Sequence, residues 1–187
     1  HFPGDGVDER DQHLLTTVNS MDCETWDNTY GKVYRGLIDG GVQSIMVGHI
    51  MQPAYSRKLN PALKDEEILP ASASKELLGG LLREKLGFNG VILTDASNMG
   101  GFISAMKRED LVPGAIAAGC DMFLFFSDPK EDLEFMRRGL ERGIITEERL
   151  DDALRRILGL KASIGLHKKK TAGTLVPPVE GLSVVGC

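Results

Sequence analysis

Hydrophobic positions along the chain follow two alternating periods, one typical of helices and one typical of buried strands. Over residues 24–39 the apolar side chains recur every three or four positions and two glycines follow, which predicts one helix. The short apolar run 42–47 then predicts a strand. The order repeats, because a leucine-rich helical stripe that begins after the capping residue Ser74 leads into a second strand at Val91–Thr94.

A third unit of the same kind follows, and after it the pattern is helical only. Residues 108–118 predict a helix that ends at a glycine, and residues 121–126 predict a strand buried on both faces. Residues 128–142 open with Asp-Pro and an acid in the first turn, which favours the start of a helix. A last helix is predicted over residues 146–165, where leucine, isoleucine and alanine recur at helical spacing.

Connections differ in length between the two ends of the predicted strands. The turns that lead into strands are short and glycine-rich, whereas the segments that leave strands are long, notably residues 49–73 and 95–107. Strands that alternate with helices predict a parallel sheet of βαβ units. In such folds the loops at the carboxyl ends of the strands form the substrate-binding site. The expected fold class is therefore α/β, as a (β/α)₈-type barrel or a doubly wound sheet.

Chain length bears on the domain organisation. A complete (β/α)₈ barrel needs about 250 residues, so this chain is expected to hold only the later βα units, as a half-barrel that starts in mid-motif at His1. Residues 1–170 are assigned to this half-barrel. Residues 171–187 contain two prolines and then an apolar run at 182–185, which predicts a linker and the start of a following domain.

Composition and charge limit the classes of partner that the chain is expected to bind. The chain carries 22 Lys and Arg against 27 Asp and Glu, a net charge of -5 that argues against a nucleic-acid surface. No apolar run approaches the roughly 20 residues of a membrane span, so no membrane partner is expected. Cys23, Cys120 and Cys187 give neither a disulfide framework nor the spacing of a zinc site. We expect no metal, no cofactor and a cytoplasmic location.

One carboxylate stands where the second strand should end. Asp95 directly follows the run Val91–Thr94, and in α/β folds substrates bind beyond the carboxyl ends of the strands. Asp95 is therefore the first candidate for a reacting group. The alternative is an aspartate that turns the chain or caps a following helix.

The opening loop carries the second candidate group. Residues 1–13 contain glycines, acids and two histidines, and they can form a metal loop, an acid/base loop or a polar surface turn. The acids lack the spacing of a calcium loop, and the histidines do not make a zinc signature. Asp11 and His13 lie two apart, so in an extended segment the carboxylate can orient the imidazole. Taken alone, this pair leaves the surface turn as the favoured interpretation.

Three motifs occur in order along the chain. They are His1-Phe-Pro-Gly-Asp-Gly with the pair Asp11-Gln-His13, the strand end Met46-Val-Gly-His49, and Thr94-Asp95-Ala-Ser-Asn-Met99. Together they resemble glycoside hydrolase family 3, particularly its β-N-acetylglucosaminidase branch, over His1 to about Lys170. The Asp-x-His pair is the feature that separates this branch from the β-glucosidases of the family.

The resemblance implies retaining glycoside hydrolysis. Asp95 would attack the anomeric carbon to form a glycosyl-enzyme, and His13, oriented by Asp11, would protonate the leaving oxygen and later activate water. Most glycosidases use two carboxylates for these tasks. An imidazole avoids a second anion beside the first, and its pKa of about 6.5 suits proton exchange near neutrality.

The resemblance also implies sugar-binding residues. His1 would bind sugar hydroxyls beside a lysine that this chain lacks, and Met99 would line the sugar site unless it fills a gap in the core. His49 is a third candidate, although a satisfied structural histidine is the preferred interpretation. The chain departs from the family at Asp5, where a histidine is frequent, and at Ala96, where a second acid is frequent.

Several functions remain open. The first is removal of terminal N-acetyl-β-glucosaminyl residues from an oligosaccharide or glycoside. A β-N-acetylglucosaminide phosphorylase or a β-glucosidase of the same family is the alternative, and a non-catalytic carbohydrate-binding half-barrel is another. A further expected partner is the first half of the barrel, on the same or a second chain, which would supply an aspartate and an arginine that hold the sugar. Without it this chain should be inactive.

Overall fold

The computed structural model describes residues 1–168. Short strands alternate with helices along this part of the chain, as the hydrophobic pattern predicts. The predicted linker and strand of residues 171–187 lie outside the described residues. The elements are β1 (Thr17–Val18), α1 (Cys23–Asn28), α2 (Tyr30–Asp39), β2 (Ser44–Val47), β3 (Ile50–Met51), α3 (Pro53–Leu59), a π-helix (Glu76–Lys85), β4 (Val91–Thr94), α4 (Gly100–Ile103), α5 (Arg108–Ala118), α6 (Pro129–Glu141) and α7 (Glu147–Ser163), with single 3₁₀ turns between some of them.

The central strands are parallel and in register. Strand β2 pairs with β4 along its whole length, so that Val47 lies opposite Thr94. Phe2 forms a parallel bridge to Val47 on the other side, and Leu93 forms one to Met122. The carboxyl ends of three neighbouring segments therefore meet in one row at Phe2, Val47 and Thr94. A separate short parallel pair joins β1 to β3.

The predicted strand over residues 121–126 is wrong. A strand needs hydrogen-bonding partners along its length, and within the described residues only Met122 bridges a neighbouring strand. The Phe125 carbonyl instead accepts hydrogen bonds from the Ser97 hydroxyl and backbone N–H. Leu124, Phe125 and Phe126 are 39%, 60% and 46% exposed, so the described part of the chain does not bury this segment on both faces.

The predicted helix over residues 24–39 is two helices. The backbone breaks at Thr29, with φ -117° and ψ -94°, where the threonine hydroxyl donates to the Thr25 carbonyl at 2.7 Å. Such back-bonding competes with regular helix geometry. The following strand also begins later than predicted, at Ser44, because the Val42 N–H closes the end of α2 by donating to the Leu37 carbonyl.

The predicted leucine-rich helix forms, but its turns are wider than those of an α-helix because it is a π-helix. The Ser74 hydroxyl accepts the Leu77 N–H at 3.3 Å near its start. Near its end, the Leu86 N–H donates to the Leu81 carbonyl five residues back, which is π-helical geometry. Four fully buried leucines of this helix pack into one core with the side chains of Phe2, Ile92 and Phe102: Leu77, Leu78, Leu81 and Leu82. This core holds the strand ends rigidly in place.

None of the helices in residues 1–168 is both long enough and apolar enough to cross a membrane.

Candidate active site

Asp95 lies directly after β4, as predicted, and its side chain is nearly buried. The residue is 7% exposed. Its backbone N–H donates to the Val47 carbonyl at 2.9 Å, which extends the strand ladder by one residue. Its Oδ1 atom accepts the Ala96 N–H at 2.7 Å. The second oxygen, Oδ2, points toward the His1 ring, whose Nε2 atom is 3.5 Å away.

His1 reaches Asp95 because the next residue is fastened to β2. The Phe2 N–H donates to the Met46 carbonyl, the Phe2 carbonyl accepts the Gly48 N–H, and the Phe2 side chain is fully buried. Gly48 favours this approach, because a Cβ at its position would lie only 3.1 Å from the His1 Cβ and 2.9 Å from the end of the Ile50 side chain. The structure thus brings together His1 and Asp95, two site residues predicted 94 positions apart.

Asp11 and His13 form the predicted pair. Asp11 Oδ1 lies 2.7 Å from His13 Nδ1 and also accepts the His13 backbone N–H at 2.9 Å. These two bonds, the backbone bond first, hold the pKa of Asp11 below its ordinary value. A carboxylate can only accept, so Nδ1 carries a proton and Nε2 is left free for proton exchange. The His13 side chain is 70% exposed, and it does not contact Asp95 in this structure.

The loop that carries His13 rests on the loop that carries Asp95. The Gly100 N–H donates to the His13 carbonyl at 2.7 Å, and the Gly101 N–H donates to the Gln12 carbonyl at 3.0 Å. Both glycines are needed for this contact, since a Cβ on either would collide with backbone carbonyl oxygens of the opening loop. The segment that carries Asp11 and His13 is therefore bonded through its main chain to the loop that follows the nucleophile candidate.

His49 lies beside the same loop but is fully buried. Its Nε2 atom is 3.0 Å from the Ala96 carbonyl and its Nδ1 atom is 2.9 Å from the Ser72 hydroxyl. A carbonyl can only accept, so Nε2 carries the proton of the neutral ring and Nδ1 accepts from Ser72. Burial lowers the pKa of His49, against the smaller opposing effects of the Ala96 carbonyl and the Asp95 charge. This geometry agrees with the preferred interpretation of His49 as a satisfied structural histidine; a sugar contact stays a prediction.

The buried neutral His49 predicts a pH dependence of stability. Because its folded pKa is below the ordinary 6.5, its contribution is fully present above pH 6.5 and is lost as the pH falls through the folded pKa. Urea unfolding at about pH 7.5 and about pH 5.5 should show a smaller loss of stability on acidification in His49→Gln than in the unaltered protein. His167→Gln removes an exposed histidine and should leave the loss unchanged. Equal acid losses in all three proteins would contradict the prediction.

Met99 is nearly buried and lies in the loop that follows Asp95. It is 6% exposed and immediately precedes α4. Its N–H donates to the Ala96 carbonyl at 3.1 Å, so its backbone belongs to the loop of Asp95. A role in lining the sugar site stays a prediction.

Sequence reasoning missed three side chains that hold these loops. Gln12 is buried, and its side-chain oxygen accepts the backbone N–H of His49 at 3.0 Å. Arg108 donates to the Ser97 carbonyl at 2.6 Å and forms a two-bond ion pair with buried Asp132. Gln12 stands inside the Asp-x-His motif, which could have drawn attention to it. Arg108 and Asp132 lie on different helices, and no local signal connects them.

Comparisons with known proteins identify the family of the chain. A profile of the "Glycosyl hydrolase family 3 N terminal domain" matches residues 1–160. The chain belongs to glycosyl hydrolase family 3. A family member of Cellulomonas fimi, named "Beta-N-acetylglucosaminidase/beta-glucosidase", is 54% identical over 184 residues, which is 95% of this chain and 33% of that protein. A "Beta-hexosaminidase" of Methylobacillus flagellatus is 34% identical over 73% of this chain and 36% of its own length.

Solved structures of the family support the fold. The structure titled "Beta-glucoside phosphorylase BglX" has a TM-score of 0.89 and 48% identity, over 91% of this chain and 31% of that chain. The predicted fold class is confirmed: residues 1–168 form part of a (β/α)₈-type barrel. The chain spans about one third of the length of the curated relatives that it matches first.

Proposed function

We propose that this chain carries the nucleophile and the acid/base pair of a retaining β-glycosidase that acts on terminal N-acetyl-β-glucosaminides. The observation that carries the proposal is the placement of Asp95 at the end of β4, with His1 Nε2 3.5 Å from its Oδ2 and the Asp11–His13 loop resting on the residues that follow it. A strand-end carboxylate and an oriented imidazole on touching loops can serve as the nucleophile and the acid/base that double displacement requires.

The reaction runs in two steps. Asp95 attacks the anomeric carbon through Oδ2, because Oδ1 already holds the Ala96 N–H. The glycosidic bond breaks as His13, doubly protonated at the start of this step, gives its Nε2 proton to the leaving oxygen, which leaves a glycosyl ester on Asp95 and a neutral His13. In the second step His13 takes a proton from the incoming acceptor, whose oxygen displaces the Asp95 carboxylate. Asp11 keeps the ring in the required tautomer throughout.

The names of relatives favour an N-acetylglucosaminide as substrate. The two curated relatives described above are named for N-acetylglucosaminidase, hexosaminidase and β-glucosidase activity. The name of the first also includes β-glucosides, so a glucoside is the second substrate to test.

Phosphate is the second candidate acceptor in place of water. A solved relative at 48% identity is named a β-glucoside phosphorylase. A carboxylate acid/base would repel an anionic acceptor, whereas an imidazole does not. Phosphate attack would give a sugar 1-phosphate and return the proton to His13 in the same way that water does.

An open apolar face marks where further chain would pack. A cavity of about 730 Å³ lies between the segment 121–126, α5, α6 and α7. Apolar side chains line it, and Phe126, Leu133 and Leu154 among them are 46%, 41% and 43% exposed. Apolar surface of this extent is typical of an unfilled interface. We propose that the remaining part of the barrel covers it and supplies further sugar contacts.

The experiment that tests the proposal compares 4-nitrophenyl N-acetyl-β-glucosaminide with the matching β-glucoside, each with and without phosphate, on the complete protein. Faster release from the glucosaminide with free sugar as product supports the hydrolase. A phosphate-dependent sugar 1-phosphate supports the phosphorylase. Sugar binding without release of the aryl group, unaffected by Asp95→Asn, would overturn both and leave a carbohydrate-binding protein.

The role of His13 predicts a dependence on the leaving group. In His13→Ala, kcat/KM should fall roughly 100-fold, as expected for loss of a general acid, with phenyl or 4-methylphenyl glycosides. It should fall much less with 2,4-dinitrophenyl glycosides, because dinitrophenolate departs without a proton. His167→Ala serves as the control histidine. Equal losses for good and poor leaving groups would count against the acid role.

A further inference from the structure

Asp5, outside the three catalytic candidates, has contacts on both sides of the site. Its Oδ2 atom is 3.1 Å from His1 Nδ1 and accepts the Gln12 side-chain N–H at 3.0 Å. Its Oδ1 atom accepts the Gly6 N–H at 2.9 Å, and its backbone carbonyl accepts the Tyr30 hydroxyl at 2.5 Å. These bonds leave the Asp5 carboxylate little freedom to turn, although its side chain is 41% exposed.

Gln12 carries the same connection toward the acid/base loop. Its side chain bridges Asp5 and the His49 backbone N–H, and the residue is 5% exposed. A buried amide with both ends bonded has one allowed orientation. Gln12 directly precedes His13 in the chain. Asp5 therefore bonds both to the His1 ring, which faces Asp95, and to the residue next to His13.

We propose that Asp5 is a positioning residue that aims His1 Nε2 at the nucleophile Asp95 and fixes the acid/base loop through Gln12. This proposal rests on the proposed function. Both partners are carboxylates, which only accept, so the doubly protonated His1 ring donates from Nδ1 to Asp5 and directs its Nε2–H toward Asp95 Oδ2 at 3.5 Å.

The step that depends on this contact is the attack by Asp95. Oδ2 is the oxygen without a backbone donor, and the His1 Nε2 atom at 3.5 Å is the side-chain group that faces it. If Asp5 is removed, the His1 ring can turn about its two side-chain bonds and Nε2 leaves the nucleophile. Misplacement of a reacting group by about 1 Å can cost roughly 100-fold in rate.

The test isolates the attack step with a leaving group that needs no acid. Single-turnover release of dinitrophenolate from the 2,4-dinitrophenyl glycoside is measured for Asp5→Asn, His1→Gln and the double variant of the complete protein. Asp5→Asn should slow release by about tenfold to 100-fold. The double variant should be no slower than His1→Gln alone, because a residue that acts through His1 has no further effect once His1 is gone.

Glu9→Gln is the matched control, since it removes one negative charge from the same loop and Glu9 makes no side-chain hydrogen bond within residues 1–168. It should release dinitrophenolate at the unaltered rate. Asp5→Glu keeps the charge but displaces the carboxylate, and it should be slow while its melting temperature stays unchanged. This second variant answers the question if Asp5→Asn folds poorly.

Losses that multiply in the double variant, or an Asp5→Glu protein as fast as the unaltered one, would overturn the positioning role. An Asp5→Asn protein that matches Glu9→Gln would do the same. Asp95→Asn separates these results from failure of the proposed function. If Asp95→Asn releases dinitrophenolate normally, both proposals fail; if it is inactive, only the role of Asp5 is in question.

Discussion

Replacement of Asp95 by asparagine is expected to lower kcat/KM for an aryl N-acetyl-β-glucosaminide by roughly 10⁴-fold or more, as for other enzymes that lose their nucleophile. The amide has the shape of the carboxylate and can still accept the Ala96 N–H through its oxygen. It has no negative charge with which to form the glycosyl ester. The loss should therefore appear in turnover, with the melting temperature nearly unchanged.

The control for charge is Asp39→Asn, which replaces an exposed aspartate at the end of α2. It should retain full turnover. Asp95→Ala extends the test, because a small anion such as azide can enter the space left by the carboxylate and attack the same carbon. Only one displacement then occurs, so the product should be the α-glycosyl azide, of inverted configuration. A β-glycosyl azide, or full activity in Asp95→Asn, would contradict the assignment of the nucleophile.

The nucleophile candidate could be predicted because its signal is local. A buried strand and the acid that ends it are adjacent in the sequence, and the rule that sites lie at the carboxyl ends of parallel strands needs only these few residues. The Asp11–His13 pair is local in the same sense, and the structure forms it with a 2.7 Å contact. The family resemblance assigned both His1 and Asp95 to the site, but it did not predict their contact, and no spacing rule relates residues so far apart.

The parts that were missed depend on partners distant in the chain. Residues 121–126 have the apolar composition of a buried strand, yet a ladder needs a neighbour, and within the described residues only Leu93 provides one. The connection from Asp5 through Gln12 to His49 joins three segments by side-chain bonds. Periodicity reports which face of an element is apolar, and it carries no information about such bonds.

A buried ion cluster at the other end of β4 predicts the largest effect on stability. Asp121 has a fully buried side chain, accepts the Ile92 N–H at 2.9 Å and pairs with Arg83 at 2.7 Å. Arg149 of α7 pairs with its other oxygen. Burial lowers the pKa of Arg83 to about 10, and the charge of Asp121 opposes that shift. One aspartate thus forms ion pairs with two largely buried arginines, with a third, Arg156, 3.9 Å away, and ties the π-helix and α7 to the central strand.

Asp121→Asn should lower the free energy of unfolding by about 3–5 kcal/mol, the cost typical of removing one partner of a buried ion pair. The asparagine keeps the volume and can still accept the Ile92 N–H, so the loss reports on the two arginines left without an anion. Urea unfolding of the complete protein measures it, with the slope of the transition as the check that the folded state is unaltered. Glu134→Gln is the matched control, because Glu134 also pairs with two arginines but on the exposed face of α6.

The exposed pair should contribute little, since water and salt screen it. A loss in Asp121→Asn no greater than in Glu134→Gln would mean that water reaches the cluster and solvates the arginines. A large loss confined to Asp121→Asn would place the stability of this unit at the amino end of β4, opposite the end that carries Asp95. The amino end of β4 would then contribute to stability and its carboxyl end to the reaction, as is general in (β/α)₈ barrels.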